Sequence, residues 1–163
     1  MSYPGAYEPV ISVAASGWTG EWPAGNRSWW INTNVAEPTL PSDFYIVDFS
    51  SRQLAGQDLD VAAPGSWVVG PFQTNSGQIS YFFLGGTSMA SPHVAGIVAL
   101  MAEKNATLTP ALAESILEGT AIPLPAGSRT VNLPAGGTQT FSWGTDATGS
   151  GLVDAAAALA ATP

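Results

Sequence analysis

Gly85-Gly86-Thr87-Ser88-Met89-Ala90-Ser91-Pro92-His93-Val94-Ala95-Gly96 decides how this chain is read. Two glycines and a threonine lead into a serine, and an apolar run suited to a helix follows at once. Such a turn sets the Ser88 hydroxyl at a helix N-terminus, beside backbone N–H groups with no intrahelical partner. A helix start carries partial positive charge and can hold a developing oxyanion. An acyl-transfer serine needs that setting. A plain serine N-cap on a buried helix uses the same residue types, so Gly-Thr-Ser alone decides nothing and the weight rests on the full string. Residues 89–101 are apolar almost all round, which predicts a helix buried on every side. Pro92 falls in its first turn, where the missing N–H has no partner to lose.

A serine nucleophile also needs a general base within hydrogen-bond reach, and a group that orients the base. His93 is the single histidine of the chain. Five positions after Ser88 on one helix, it lies roughly 140° round the axis and about 7.5 Å along it. It does not reach the Ser88 hydroxyl from there, and a ring packed against its own fold is the expected role. This chain therefore offers Ser88 no histidine base.

The full string resembles the nucleophile segment of the subtilisin-like serine proteases. In that family the triad runs Asp, His, Ser in chain order, and the oxyanion-hole asparagine comes just before a Tyr-Pro segment. Met1-Ser2-Tyr3-Pro4-Gly5-Ala6-Tyr7 is similar to that Tyr-Pro segment, and Val10-Ile11-Ser12-Val13-Ala14-Ala15 to the strand after it. Phe49-Ser50-Ser51, Leu59-Asp60-Val61-Ala62-Ala63-Pro64-Gly65 and Gly151-Leu152-Val153-Asp154-Ala155 resemble later landmarks, in the right order.

The resemblance implies an α/β fold: the C-terminal portion of a doubly wound parallel sheet, with residues 1–163 part of one peptidase domain. It implies a serine endopeptidase fragment acting on polypeptides, with Ser88 as nucleophile and the Asp, His and Asn upstream of Met1. Such a fragment has little activity alone, and its natural partner is the missing N-terminal part of the domain. The resemblance also implies an extracellular parent protein and a cis Tyr3–Pro4 peptide. No cofactor is required. A weak structural cation, calcium or sodium, is implied at Gly5, Tyr7 and Val10 with Asp60.

Composition narrows the field in the same direction. At 163 residues the chain can build one real core. It is 45% hydrophobic and only 10% charged, which argues for a folded chain. Four basic against twelve acidic residues leave a net charge of -8. No basic stripe exists to neutralise phosphates or anionic lipid, so neither nucleic acid nor membrane is an expected partner. The absence of cysteine excludes disulfides, thiolate metal sites and a cysteine nucleophile. No signal-peptide pattern follows Met1. The acids are scattered with no calcium loop. Asp58 and Asp60 share a face if their segment is extended; they suit a hard cation, or else one exposed acid beside a strand-end hydrogen bond.

Short apolar runs at 10–15, 45–49 and 59–62 read as buried strands. Residues 67–72 and 79–84 are expected to pair as a hairpin across Thr74-Asn75-Ser76-Gly77. Thr109-Pro110 is a cap-then-Pro helix start, with Gly119 as its stop, and 154–161 reads as a last helix. Two segments are expected insertions. Residues 122–148 carry a late hairpin, with strands at 129–133 and 138–143. Residues 17–46 form a long loop bearing Trp18, Trp22, Trp29 and Trp30. These tryptophans either pin the loop onto the domain or make a binding patch, in which case the chain is a non-catalytic binding domain.

Overall fold

The computed structural model describes residues 1–22, 24, 35–78 and 80–163. Trp29 and Trp30 lie outside the described residues, so their expected roles go no further. The central sheet has three strands in the order β2-β1-β3. β1 (Val13–Trp18) runs parallel to β3 (Val61–Pro64), with Val13 opposite Val61 and Ala15 opposite Ala63. β2 (Phe44–Ile46) is antiparallel to β1, with Trp18 opposite Phe44. The strand expected at 10–15 thus starts later and continues to Trp18. The long loop begins after Trp18 and closes this antiparallel pair. Ala14, Ala15, Val61, Ala62 and Ala63 are fully buried. Small and β-branched side chains suit strands covered on both faces.

α1 (Thr87–Lys104) packs across β1 and β3. Its buried residues are Ala90, Val94, Ile97 and Met101, a single stripe at helical spacing. The expectation of burial on every side is wrong. Ser91, Ala95, Gly96, Ala99 and Leu100 are exposed, because nothing among the described residues packs on that face. α2 (Pro110–Thr120) starts as expected: the Thr109 side chain accepts from Leu112 N, and Pro110 opens the helix. α3 (Ala155–Ala161) is capped by Asp154, whose Oδ1 accepts from Ala157 N at 2.9 Å. α3 packs against α1 and α2.

Both expected hairpins form. β4 (Val68–Pro71) pairs antiparallel with β5 (Tyr81–Leu84), and Gly77 turns the chain at φ +78°. β6 (Gly127–Asn132) pairs with β7 (Thr138–Trp143), and Phe141 of this pair stacks on Tyr45 of β2 at 4.8 Å between centroids. Near the C-terminus Leu152 bridges β3 at Ala62 and also Ile122. Two glycines permit that approach. A Cβ on Gly149 (φ +53°) would collide with the Asp60 carbonyl, and one on Gly151 (φ +132°) with the Ile122 carbonyl. Tyr3–Pro4 is cis, as the resemblance implies.

Candidate active site

Ser88 is the second residue of α1, and it is exposed. It lines a shallow groove with Val68, Met89, Pro92 and His93. Gly86 is the helix N-cap, and its carbonyl accepts from Met89 N and Ala90 N at 3.0 and 3.3 Å. No backbone carbonyl accepts from the Ser88 N–H among the described residues. That donor faces outward at the positive end of an 18-residue helix, where an anion is stabilised. An exposed hydroxyl and a backbone N–H with no carbonyl partner thus sit in one residue.

The turn that carries Ser88 is fastened to the sheet. Gly86 N donates to Gly65 O at 2.8 Å, and Gly65 N and Ser66 N both donate to Ser16 O on β1 at 2.8 and 3.0 Å. A Cβ on Gly65 would stand 2.6 Å from Ala15 Cβ and 2.8 Å from Gly86 O. Only glycine lets the segment after β3 approach so closely.

His93 needs a correction. Its ring is exposed rather than packed inside, and its Nδ1 lies 2.7 Å from the Met89 carbonyl one turn back. A carbonyl only accepts, so Nδ1 carries the hydrogen. The ring faces the same groove as Ser88, yet no side chain hydrogen-bonds the Ser88 hydroxyl among the described residues. The two side chains share one groove with no hydrogen bond between them.

Beside this groove is a larger apolar cavity of about 300 Å³ that shares Val68 and His93 with it. Its lining includes Ser16, Trp18, Glu21, Phe44 and Trp67. Glu21 is 6% exposed. Its Oε1 accepts from Trp18 N at 3.0 Å, and its Oε2 stands within hydrogen-bond reach of Tyr45 Oη and Ser66 Oγ, both at 3.0 Å. Burial pushes the Glu21 carboxyl up to about 7, against the pull of its hydrogen bonds with Trp18 N, Ser66 and Tyr45. Burial and the neighbouring Glu21 also raise the Tyr45 phenol. Trp67 takes φ +46°, a conformation rare for a bulky side chain. Its ring meets Trp22 edge-on at 5.4 Å, and Trp22 is 4% exposed. Sequence reasoning missed Glu21, Tyr45, Ser66 and Trp67. The one available signal was an acid set between Trp18 and Trp22, where a carboxylate is drawn into the core by its neighbours.

Two of the groups expected at a cation, the Asp60 carboxylate and the Tyr7 carbonyl, accept hydrogen bonds within the chain. Asp60 is buried, and its Oδ2 accepts from Ser12 N at 2.5 Å and Ser12 Oγ at 2.8 Å. The Tyr7 carbonyl accepts from Val10 N at 2.9 Å. Asp58 is exposed while Asp60 ties the start of β1 to β3, the strand-end alternative for this pair. No group of three or more His, Cys, Asp or Glu side chains is placed to hold a metal among the described residues.

Comparison with known proteins follows the same lines. The profile of the subtilase family matches residues 1–154. The chain belongs to the subtilase family. An extracellular protease of Xanthomonas campestris pv. campestris is 49% identical over 74 residues, 43% of this subtilase chain and 13% of that protein. Thermitase of Thermoactinomyces vulgaris is 36% identical over 94 residues, covering 58% and 31%. Among solved structures, fervidolysin of Fervidobacterium pennivorans, described as a keratinolytic enzyme related to subtilisin, superposes with TM-score 0.64 at 27% identity. It covers 99% of this chain and 20% of its own. The subtilase chain thus spans well under half the length of these relatives, and its α/β fold is that of a subtilisin-like protease.

Proposed function

We propose that this chain is the nucleophile-bearing part of a subtilisin-like serine endopeptidase. Ser88 attacks the carbonyl of a peptide bond, and its own N–H supplies half of the oxyanion hole. The acyl-enzyme so formed is then hydrolysed by water. A histidine and an aspartate outside this chain serve as base and orienting group, and an outside asparagine completes the hole. The carrying observation is the exposed Ser88 hydroxyl at the head of α1, lying in a groove with an unclaimed N–H beside it. The exposed outer face of α1 gives the missing part a surface to cover. By analogy with the Xanthomonas relative, the parent protein works outside the cell.

Alone, the chain is expected to be nearly inert. In subtilisin itself, loss of the base alone lowers turnover on the order of a millionfold. The test uses a fluorophosphonate probe and a chromogenic peptide, with the chain alone and co-expressed with an N-terminal subtilase segment carrying the Asp and His. Labelling and cleavage should need both parts and vanish in Ser88→Ala. Fast stoichiometric labelling of the chain alone would overturn the missing-base argument. No labelling of the assembled pair would overturn the nucleophile assignment. The reading as a non-catalytic binding domain loses ground at Trp22, whose ring is spent on the core.

A further inference from the structure

Glu21, Tyr45 and Ser66 form a closed triangle of oxygens. Tyr45 Oη and Ser66 Oγ each stand 3.0 Å from Glu21 Oε2, and 2.9 Å from one another. Three edges of hydrogen-bond length need three hydrogens, one apiece. The two hydroxyls supply two. The third has to sit on the carboxyl, and on Oε2, because Oε1 accepts from Trp18 N. Were the carboxyl ionised, one edge would bring two lone pairs face to face. All three residues are buried, so water cannot replace the lost bond cheaply.

The triangle also leads to the turn that holds the nucleophile. The peptide plane joining Gly65 to Ser66 gives its N–H to Ser16 O and its carbonyl to Gly86 N. Gly86 caps α1, and Ser88 follows two residues later. Ser66 thus joins the triangle with its side chain, and the peptide it shares with Gly65 carries the carbonyl that holds Gly86.

We propose that Glu21 is a positioning residue for Ser88: its proton closes the triangle with Tyr45 and Ser66, and losing that proton loosens the Gly65–Gly86 bond that seats the nucleophile turn. This rests on the assignment of Ser88 as nucleophile made above. The proton leaves to water through the cavity that Glu21 lines. Beyond Tyr45, itself a member, two further titratable groups bear on the triangle: His93 from α1 in the same cavity, and Asp48 acting on Tyr45 from beyond β2. No lysine or arginine lines the cavity among the described residues to hold the carboxylate ionised.

The test is a pH titration of the full chain by NMR, following the assigned Glu21 side-chain carboxyl carbon and the Gly86 amide. Neither readout needs activity, so the outcome is separable from the protease reading. Glu21 should keep its proton well above the ordinary glutamate range. The Gly86 amide shift should move with the Glu21 midpoint. In Glu21→Gln, whose neutral amide can still donate into the triangle, the Gly86 amide should stay flat at its low-pH position. Ionisation of Glu21 in the ordinary glutamate range would overturn the proton-bearing triangle. A Gly86 amide that ignores Glu21 would overturn the positioning role. If Glu21→Gln does not fold, the wild-type titration alone decides both points.

Discussion

At the scale of single residues, two positions control how firmly Ser88 is held. Gly65 is the tighter of them, since a methyl there meets Ala15 and the Gly86 carbonyl. Gly65→Ala should destabilise the chain by about 1–3 kcal/mol, the usual range for overpacking. Urea denaturation measures it, and a midpoint unchanged from wild type would contradict the close approach. Glu21 is the other, and its effect depends on pH. Its carboxyl ionises near 4.5 when unfolded and near 7 when folded. The folded state therefore holds the extra proton between those values, and stability is full below pH 4.5. It declines as pH rises through 7, by at most ~3 kcal/mol at 1.36 kcal/mol per unit. Melting temperature followed from pH 4 to pH 8 should fall in wild type and fall much less in Glu21→Gln.

At the scale of elements, α1 shows the largest gap between reading and structure. Its composition is apolar all round, yet burial is one-sided. Met101 lies on the covered stripe at 0% exposure, and Leu100 next to it is 48% exposed. Met101→Ala should cost about 2–5 kcal/mol. Leu100→Ala should stay within about 0.5 kcal/mol. Equal costs at the two positions would mean that both faces of α1 are covered in solution. α3 offers a smaller test of local chemistry: Asp154→Ala removes its cap and should cost about 1 kcal/mol. Circular dichroism melts of both variants against wild type give the comparison. The closing segment after η-turn residues 145–147 depends on backbone shape more than on side chains. Gly149→Ala would force a methyl against the Asp60 carbonyl at positive φ, and so pull Leu152 off β3.

At the scale of the whole molecule, several large apolar groups stay uncovered among the described residues. Leu100 stands on the outer face of α1, and Val69, Phe72 and Tyr81 on the hairpin β4–β5. Exposed patches of this kind promote association. Sedimentation of the chain alone should show concentration-dependent association, reduced in Leu100→Lys. A monodisperse monomer with a sharp cooperative melt would oppose this. Much of the architecture was legible beforehand because it is written in local chemistry. Thr109-Pro110 and Asp154 announce helix starts, Asn75-Ser76-Gly77 a hairpin turn, and Gly85-Gly86-Thr87-Ser88 the turn into α1. Each of these depends on neighbours a few residues away, and so does the argument that His93 cannot serve Ser88. Other features join residues far apart in the chain. Glu21 meets Tyr45 and Ser66, Gly65 meets Gly86, and Asp60 turns to Ser12. No periodicity or motif encodes such meetings, because they follow from which strands pair and how closely their backbones pack. The amino-acid order by itself thus determined most of the elements and singled out Ser88 at the head of α1, through short-range caps, turns and patterning. Only the tertiary structure decided which face of α1 is covered, which carboxyl is buried with its proton, and what fastens Ser88 to the sheet, since desolvation and close packing exist only once distant segments are brought together.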